Sequence, residues 1–242
     1  MTADTQMLGL RPPAHATLRE HALHQLREAL MAGRFEPGQR MTIRGLAAAL
    51  GTSMTPVRDA VGRLAADRAL EAEPNRWMRI PILSAAELRE LRDIRLALEG
   101  LATERAAERI TPQLLVEFEK LEAHIVSLRG LNDPKQMIPA IGRLHFAIYR
   151  VSGMPALVQI IEGLWLRSGP YNNLLFRGYT QQDGGALRQA TLRALASGQP
   201  AEARGSMEAD VGRALDWLIA LAEGGGIIDS TPRMARGGRT KL

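Results

Sequence analysis

The stretch LAAALGTSMTPVRDAVGRLAADRAL at positions 46–70 restricts the fold more than any other part of the chain. Its apolar residues recur at helical spacing on both sides of Gly51, which predicts that one helix ends there and that a second begins soon after it. Ser53 or Thr55 can cap the second helix, and Pro56 fits its first turn because the missing backbone N–H costs nothing there. The pattern predicts two short helices joined by a tight turn.

The flanking sequence predicts a small domain around this helical pair. ATLREHALHQLREALMAG carries leucines at helical spacing and predicts a first helix over 16–33, and the short helix before the turn covers Ile43–Leu50. Further on, ALEAEPNRWMRIPIL has the turn EPN between two short extended runs, which predicts a β-hairpin with Trp77 anchoring it on the domain core. Three helices and a hairpin indicate a winged helix-turn-helix domain over 16–82.

From Ser84 onward the sequence has long helical patterns in place of short helices and strands. SAAELRELRDIRLALEGLATERAAERI opens with the residues of a capping box, Ser84 and Glu87, and places one apolar stripe on the helix that follows. The members of this stripe are Leu88, Leu91, Ile94, Leu98 and Leu101. The later helical segments end mostly at glycine, and none has the alternation of a strand. The chain over 83–223 is therefore predicted to be an all-helical bundle, so the protein as a whole is mainly α.

The composition limits the compartment and the kinds of site expected for this protein. Hydrophobic residues make up 45% of the 242 positions, enough for a core, and cysteine is absent, which excludes disulfides and thiolate metal sites. No segment has the apolar length of a membrane span or the pattern of a secretory leader, so a soluble, cytoplasmic protein is expected. Much of the formal net charge of +5 lies in the glycine-rich tail over 224–242, and this tail and residues 1–15 are expected to be flexible.

Residues 30–70, LMAGRFEPGQRMTIRGLAAALGTSMTPVRDAVGRLAADRAL, resemble the winged domain of the GntR family of bacterial transcription regulators. The shared features are a turn G-x-(apolar)-x-P-G and a segment L-A-x-x-(apolar)-G-x-S-x-T-P-V-R. The helical remainder resembles the FCD effector domain of the FadR-like branch, through Asp93, Arg95 and Glu99 on one helix and through the later segment RLHFAIYRVSGMPAL. The resemblance implies a two-domain transcription regulator that binds DNA and responds to a small effector.

The resemblance also implies which residues touch DNA. The candidate positions are Arg44, Ser53, Met54, Thr55, Pro56, Arg58, Asn75 and Arg76. Arginine can pair with guanine or clamp phosphate, while hydroxyls and a helix N-terminus mostly fix the register on phosphates. The family commonly has arginine at the position of Met54 and glycine near that of Trp77, so the operator preference of relatives does not carry over. The alternative for a single arginine is a solvated helix face, and Arg63 can instead pair with Asp59 or Asp67.

A metal site of many relatives maps onto four positions of the helical domain. Those relatives hold a divalent ion through an Asp or Asn, a histidine four residues later and two further histidines, and the matching positions here are Ile141, His145, Arg188 and Asp210. Isoleucine offers no ligand, and the guanidinium places a permanent cation where the ion would sit. No metal or other cofactor is therefore expected.

The same four positions predict a pocket for an anion. We expect Arg188, Arg95 and His145 to form the positive pole for a small, carboxylate-like effector beside Tyr149, with Asp210 pairing with Arg188 when the pocket is empty. The alternative is structural, with a hydrogen-bonded core His145 and a buried Arg188–Asp210 ion pair. Three residues of RSGPYNNLLFR can line this pocket or simply begin a polar helix: Tyr171, Asn172 and Asn173.

A ligand-responsive transcriptional repressor is the function predicted from this layout. An operator holds two half-sites and one reading helix makes too few contacts for tight binding, so a homodimer on double-stranded DNA is expected, with no membrane partner. Effector binding is then expected to change the geometry of the two reading heads. A winged-helix module that binds protein stays an alternative. An enzyme acting on a small acid is another, although the chain has no nucleophile elbow, phosphate loop or His–Glu metal motif.

Overall fold

The computed structural model describes residues 18–73, 77–129, 131, 133–178 and 184–227. Its N-terminal part, the DNA head of the sequence prediction, contains three helices and a small sheet. Their bounds in chain order are α1 Leu18–Met31, β1 Arg40–Thr42, α2 Ile43–Ala49, α3 Met54–Ala66, β2 Glu71–Glu73 and β3 Trp77–Arg79. The predicted winged helix-turn-helix is confirmed.

The turn between α2 and α3 follows from local signals in the sequence. Thr42 caps the start of α2, where its side-chain oxygen accepts a hydrogen bond of 3.0 Å from the backbone N–H of Gly45. Gly51 lies just after α2 and has φ +63°, a backbone conformation that residues with a Cβ rarely adopt. Local interactions thus fix the turn between the two helices.

The wing is a three-stranded antiparallel sheet in the order β1-β3-β2, with Trp77 opposite both Thr42 and Glu73. The predicted hairpin corresponds to β2 and β3. The sequence prediction missed β1, which pairs with the distant β3 and not with a neighbour across a short turn. The interpretation of Trp77 as a core anchor is wrong. Neighbouring residues of a strand face opposite sides of a sheet, and Met78 is the buried one, so Trp77 points outward with 41% of its surface exposed.

The C-terminal part is a bundle of helices, as predicted. Its elements are α4 Ala85–Ala107, α5 Pro112–Arg129, α6 Pro134–Val151, α7 Pro155–Ser168, a 3-10 turn over Gly169–Tyr171, α8 Asn172–Gly178, α9 Gly184–Ala196 and α10 Pro200–Glu223. The capping box at the start of α4 is present: the Ser84 hydroxyl accepts from the Glu87 backbone, and the Glu87 side chain accepts from the Ser84 backbone. No helix in the described ranges has the length and apolar character needed to cross a bilayer.

Helix α4 lies along α10 and carries charged residues into the core. The predicted stripe holds at Leu88 and Leu91, which are buried, but the prediction is wrong at Ile94, which is exposed. The buried face continues instead through Arg95 and Glu99, four residues apart and therefore on one side of the helix. An apolar template cannot detect a buried face that contains an ion pair.

A tight junction joins the two parts of the chain. The hydroxyl of Tyr171 accepts a hydrogen bond of 2.6 Å from the Leu83 backbone N–H and donates one of 3.1 Å to the Pro81 carbonyl. Gly169 packs directly on the end of α1, since a Cβ there would come within 2.3 Å of the Leu30 carbonyl oxygen. Leu166 of α7 is buried in the hydrophobic core of the N-terminal part. The two parts thus share packed contacts as well as a covalent link.

Candidate functional site

One face of the α2–α3 pair is exposed and carries most of the predicted DNA-contacting residues. Ser53, Thr55 and Arg58 are exposed at the start of α3, and so are Met54 beside them and Arg44 on α2. Ser53 is the residue that precedes α3, yet its hydroxyl makes no capping hydrogen bond. The hydroxyl and the helix N-terminus are therefore both open to an outside acceptor or anion.

One predicted contact falls elsewhere, and two cannot be placed. Pro56 does not lie on this face, because its ring is buried with the apolar side of α3, so its part is to shape the helix start. Asn75 and Arg76 at the wing tip lie outside the described residues.

Charge pairing divides the arginines of the N-terminal part into two groups. Arg19 and Arg27 on α1 reach acids in and just after α3: Arg19 lies 3.0 Å from Asp59, and Arg27 lies 4.0 Å from Asp67. The expectation that Arg63 pairs with one of these acids is therefore wrong, since α1 provides their partners. Arg40 and Arg79 pair with glutamates of the wing.

The second group consists of arginines without a carboxylate partner, and three of them lie on α2 and α3. Arg44, Arg58 and Arg63 form no ion pair with any residue in the described ranges, although acids lie on the same small domain. Asp59, next to Arg58 in the chain, is already paired with Arg19, so Arg44 and Arg58 leave uncompensated positive charge on the face that carries the start of α3. Such a face suits the phosphates and base edges of a DNA groove.

The helical bundle contains a small, partly open cavity, called here the central cavity, with a volume of about 100 Å³. This volume accommodates several waters or one compact small molecule. Most of its wall is aliphatic, and Trp165 closes one side. The polar residues that line it are Arg95, His145, Ser168, Asn172, Arg188 and Asp210.

The four positions matched to the metal site of relatives meet at this cavity. Ile141, His145, Arg188 and Asp210 all line it, although they come from three different helices, α6, α9 and α10. The positions that the sequence comparison placed together are thus neighbours in space.

Their pairing differs from the expected one. Asp210 does not pair with Arg188: one of its carboxylate oxygens lies 3.2 Å from Nε2 of His145. Arg188 instead uses its Nε to donate to Glu122 of α5 at 2.9 Å. Buried Glu122 is therefore the partner of Arg188 in place of the predicted Asp210. Neither η nitrogen of Arg188 has a hydrogen-bond acceptor among the described residues.

His145 is incompletely satisfied. Its contact with Asp210 is close, but the atoms are not aligned for a hydrogen bond, so Nε2 is a buried polar atom without a hydrogen-bond partner. Its Nδ1 lies 3.4 Å from the hydroxyl of Tyr149. The ring contacts Tyr149 and Trp165 edge-on, and its Nε2 lies beside the Asp210 carboxylate. An unsatisfied buried nitrogen marks a place for a ligand or a water.

Glu99 organises a buried hydrogen-bond cluster behind the cavity wall. Its carboxylate accepts two hydrogen bonds from Arg95, the shorter at 2.5 Å, and one of 3.1 Å from the indole N–H of Trp165. The hydroxyl of Tyr149 also donates to it. Burial and the adjacent Glu99 carboxylate raise the pKa of Tyr149 well above its usual value, so Tyr149 remains a neutral donor. Arg95 completes the cluster by donating to the hydroxyl of Ser168 at 3.0 Å.

The cluster revises the predicted roles. Tyr149 is not in the cavity wall but supports it from behind, while Arg95 reaches the wall already neutralised by Glu99. Sequence reasoning assigned no role to Glu99, Glu122 or Trp165. The spacing of Arg95 and Glu99 on one helix face was the available signal for the first, whereas Glu122 and Trp165 come from other helices and gave no local sign.

The donor set does not fit a divalent metal of the kind held by relatives. His145 and Asp210 are the two ligand-type side chains at the four positions, and the guanidinium of Arg188 lines the same space. Among the described residues no group of three or more His, Asp or Glu side chains is placed to hold an ion.

Comparison with known proteins yields two domain matches. The family described as bacterial regulatory proteins, gntR family, matches residues 18–80, and the FCD domain matches residues 90–213. The HTH-type transcriptional regulator McbR of Escherichia coli K12 is 35% identical over 170 residues, which cover 70% of this chain and 77% of McbR. The uncharacterized HTH-type transcriptional regulator YdhC of Bacillus subtilis 168 is 33% identical over 140 residues, 57% of this chain and 62% of YdhC.

Solved structures agree with these matches. The structure of E. coli McbR/YncC superposes with a TM-score of 0.78 at 29% identity and covers 88% of this chain and 100% of that one. A putative GntR regulator from Rhodococcus sp. RHA1 has the same fold, with a TM-score of 0.66 at 20% identity over 85% of this chain and 97% of its own.

Proposed function

This chain belongs to the gntR family of bacterial regulatory proteins, with an FCD effector domain, and from that premise we propose that it is a dimeric repressor released from DNA by a small carboxylate. The chain is a DNA-binding transcriptional regulator and not an enzyme. The two alternatives left open by the sequence, a protein-binding winged helix and an enzyme acting on a small acid, are set aside.

The observation that carries the DNA contacts is the pairing pattern of the arginines. Arg44 and Arg58 are exposed beside the start of α3 without a carboxylate partner in the described ranges, whereas Arg19 on α1 and Arg40 in the wing are paired with acids. We assign the start of α3 to the major groove, with Arg58 near base edges or phosphate and the Ser53 and Thr55 hydroxyls on the backbone. Met54 is exposed at the same helix start, so its thioether would meet the groove where relatives place a cation.

The effector site in this proposal is the central cavity. Arg188 offers the two η nitrogens of its guanidinium, which can form a bidentate pair with a carboxylate, and His145 offers its unsatisfied Nε2. The aliphatic wall and Trp165 would enclose the remainder of the ligand. With a volume of about 100 Å³, the cavity favours a compact acid of few heavy atoms. We propose that this site works without metal, because the η nitrogens of Arg188 offer hydrogen-bond donors to the ligand where relatives hold an ion.

Two sets of contacts would couple effector binding in the central cavity to the DNA head. Asn172 lines the cavity and donates to the Met31 carbonyl at the end of α1 at 3.3 Å. Ser168, held by Arg95, precedes Gly169, which packs against Leu30. A ligand that shifts either group moves α1, and α1 is salt-bridged to the reading helix through Asp59. A homodimer would convert this movement into a change of half-site spacing, and such a dimer would act on chromosomal DNA in the cytoplasm.

DNA binding is tested by measuring affinity for duplexes from the promoter region of the gene that encodes this protein. Wild-type protein should bind with a strong salt dependence, and Arg58→Ala should weaken binding at least about fivefold, since a good arginine contact is worth about 1–3 kcal/mol. Arg213→Ala is the matched control, because Arg213 is an exposed arginine of the effector domain. Equal affinity of the two variants would remove Arg58 from the interface.

The effector site is tested separately by a thermal-shift screen of small carboxylates. A hit should raise the Tm of the wild-type protein, and the rise should be lost in Arg188→Ala. A chelator should change neither Tm nor DNA binding. A chelator-sensitive Tm together with a stoichiometric bound ion would contradict the metal-free site.

A further inference from the structure

A second concave surface, the interdomain groove, lies between α1 of the DNA head and helices α6 and α7 of the effector domain. Its volume is about 410 Å³. Ile138 and Trp165 belong both to its wall and to the wall of the central cavity. The groove is therefore a separate space that shares a partition with the effector site and touches both domains.

The lining of the groove is positively charged. Four arginines and two glutamates line it, which leaves a formal charge of +2 with histidine neutral. One arginine, Arg27, bridges the two domains through an ion pair of 3.0 Å with Glu162, and Glu28 lies 3.6 Å from His24. The other three arginines are exposed and form no ion pair with any residue that the structure describes. These are Arg34, Arg143 and Arg150.

The three unpaired arginines face one space from two domains. Arg143 and Arg150 are seven residues apart on α6, which places them about two turns and 10 Å apart on the same side of the helix. Arg34 enters from the opposite wall, just after the end of α1. The guanidinium of Arg150 lies 5.7 Å over the ring of Phe146, which holds it at the groove floor. Long side chains in this arrangement can converge on one ligand.

We propose that the interdomain groove binds a small molecule carrying a phosphate or pyrophosphate group. A single carboxylate occupies one guanidinium fork, whereas phosphate oxygens can accept from several arginines at once. Met31, Phe146 and Trp165 give the groove an apolar floor for an attached organic group. Because the ligand would hold Arg34 of the head and Arg143 of the effector domain together, it would fix the position of α1 independently of the effector.

Isothermal titration of the full-length protein with sodium pyrophosphate, at constant ionic strength, tests this site. We expect saturable binding whose Kd rises at least about tenfold in the double variant Arg143→Gln/Arg150→Gln, the loss of about 1.4 kcal/mol of binding free energy. Arg213→Gln, a change of an exposed arginine outside the groove, should leave the Kd unchanged, and an unchanged Tm of the double variant shows that it is folded. Arg58→Ala should also leave the Kd unchanged, because Arg58 lies on the DNA-reading face.

Three results would overturn the assignment. The first is the lack of saturable binding of pyrophosphate and of inorganic phosphate. The second is binding that is lost in Arg58→Ala but kept in the double variant, which would place the anion on the DNA-reading face. The third is a loss of duplex affinity with a smaller salt dependence in the double variant, which would assign these arginines to DNA phosphates. None of these results depends on whether a carboxylate binds the central cavity.

Discussion

Replacing Glu99 by glutamine tests the charge cluster behind the central cavity. Glu99 is fully buried, and its carboxylate accepts hydrogen bonds from Arg95, Tyr149 and Trp165. Glutamine keeps the size of the side chain but removes the negative charge, so Arg95 becomes a buried cation without a carboxylate, beside the Ser168 hydroxyl and the Trp165 ring. Breaking a buried pair in this way costs about 3–5 kcal/mol. We expect the free energy of unfolding to fall by about 3 kcal/mol.

The matched control is Glu104→Gln on the same helix. Glu104 lies 3.0 Å from Arg204, but both side chains are partly exposed, and such a pair contributes about 0–1 kcal/mol. Urea denaturation measures both variants, and a change of midpoint at constant slope reports stability. For a chain of this length, 3 kcal/mol corresponds to a decrease in Tm of about 6–12 °C.

A double variant separates charge from shape. Arg95→Met/Glu99→Gln removes the isolated cation as well, so it should recover a large part of the stability lost by Glu99→Gln alone. The reasoning is refuted if Glu99→Gln costs no more than Glu104→Gln, or if the double variant is as unstable as the sum of the two single variants.

Two further predictions concern the junction and the capping box. Gly169→Ala should lower the Tm and alter DNA affinity, because the new Cβ would lie 2.3 Å from the Leu30 carbonyl oxygen. Gly163→Ala on α7 is the control: its Cβ would enter open space, so the variant should be neutral or stabilising. Equal effects of both variants in a melting experiment would contradict the close packing at Gly169. Hydrogen bonds from Ser84 lower the pKa of Glu87 from its ordinary 4.5, so its carboxylate stabilises α4 fully above that value and this stabilisation is lost as the pH falls through the lowered pKa. Wild type should therefore melt above Glu87→Gln at neutral pH, with a gap that closes in acid; a gap that widens in acid would show the opposite sign.

Local signals accounted for most of the fold. Glycine at 51, the capping box at Ser84 and prolines at helix starts act within a few residues, so their effect on the backbone does not depend on the tertiary structure. The prediction failed where contacts between distant parts of the chain decided whether a side chain is buried or exposed. Trp77 faces outward because Met78 takes the core side of a short strand, and Ile94 is exposed because Arg95 and Glu99 occupy the buried face of α4.

The candidate site shows the same division. Family resemblance brought four distant positions together, and all four line the central cavity. It could not identify the partner of Arg188, because Glu122 lies on a helix about 66 residues away and matches no motif. Burial forces each buried charge to find the best-placed opposite charge, and that choice depends on helix packing.

The sequence by itself determined where helices begin and end, which family the chain resembles and which face of the helical pair is polar. These properties follow from short-range sterics, hydrogen bonding and helical periodicity. Only the tertiary structure decided which arginines are neutralised and which stay free, because ion pairs such as Arg19–Asp59 and Arg188–Glu122 join side chains from different helices. The face available to DNA, the free fork of Arg188 in the cavity and the basic interdomain groove all result from that pairing.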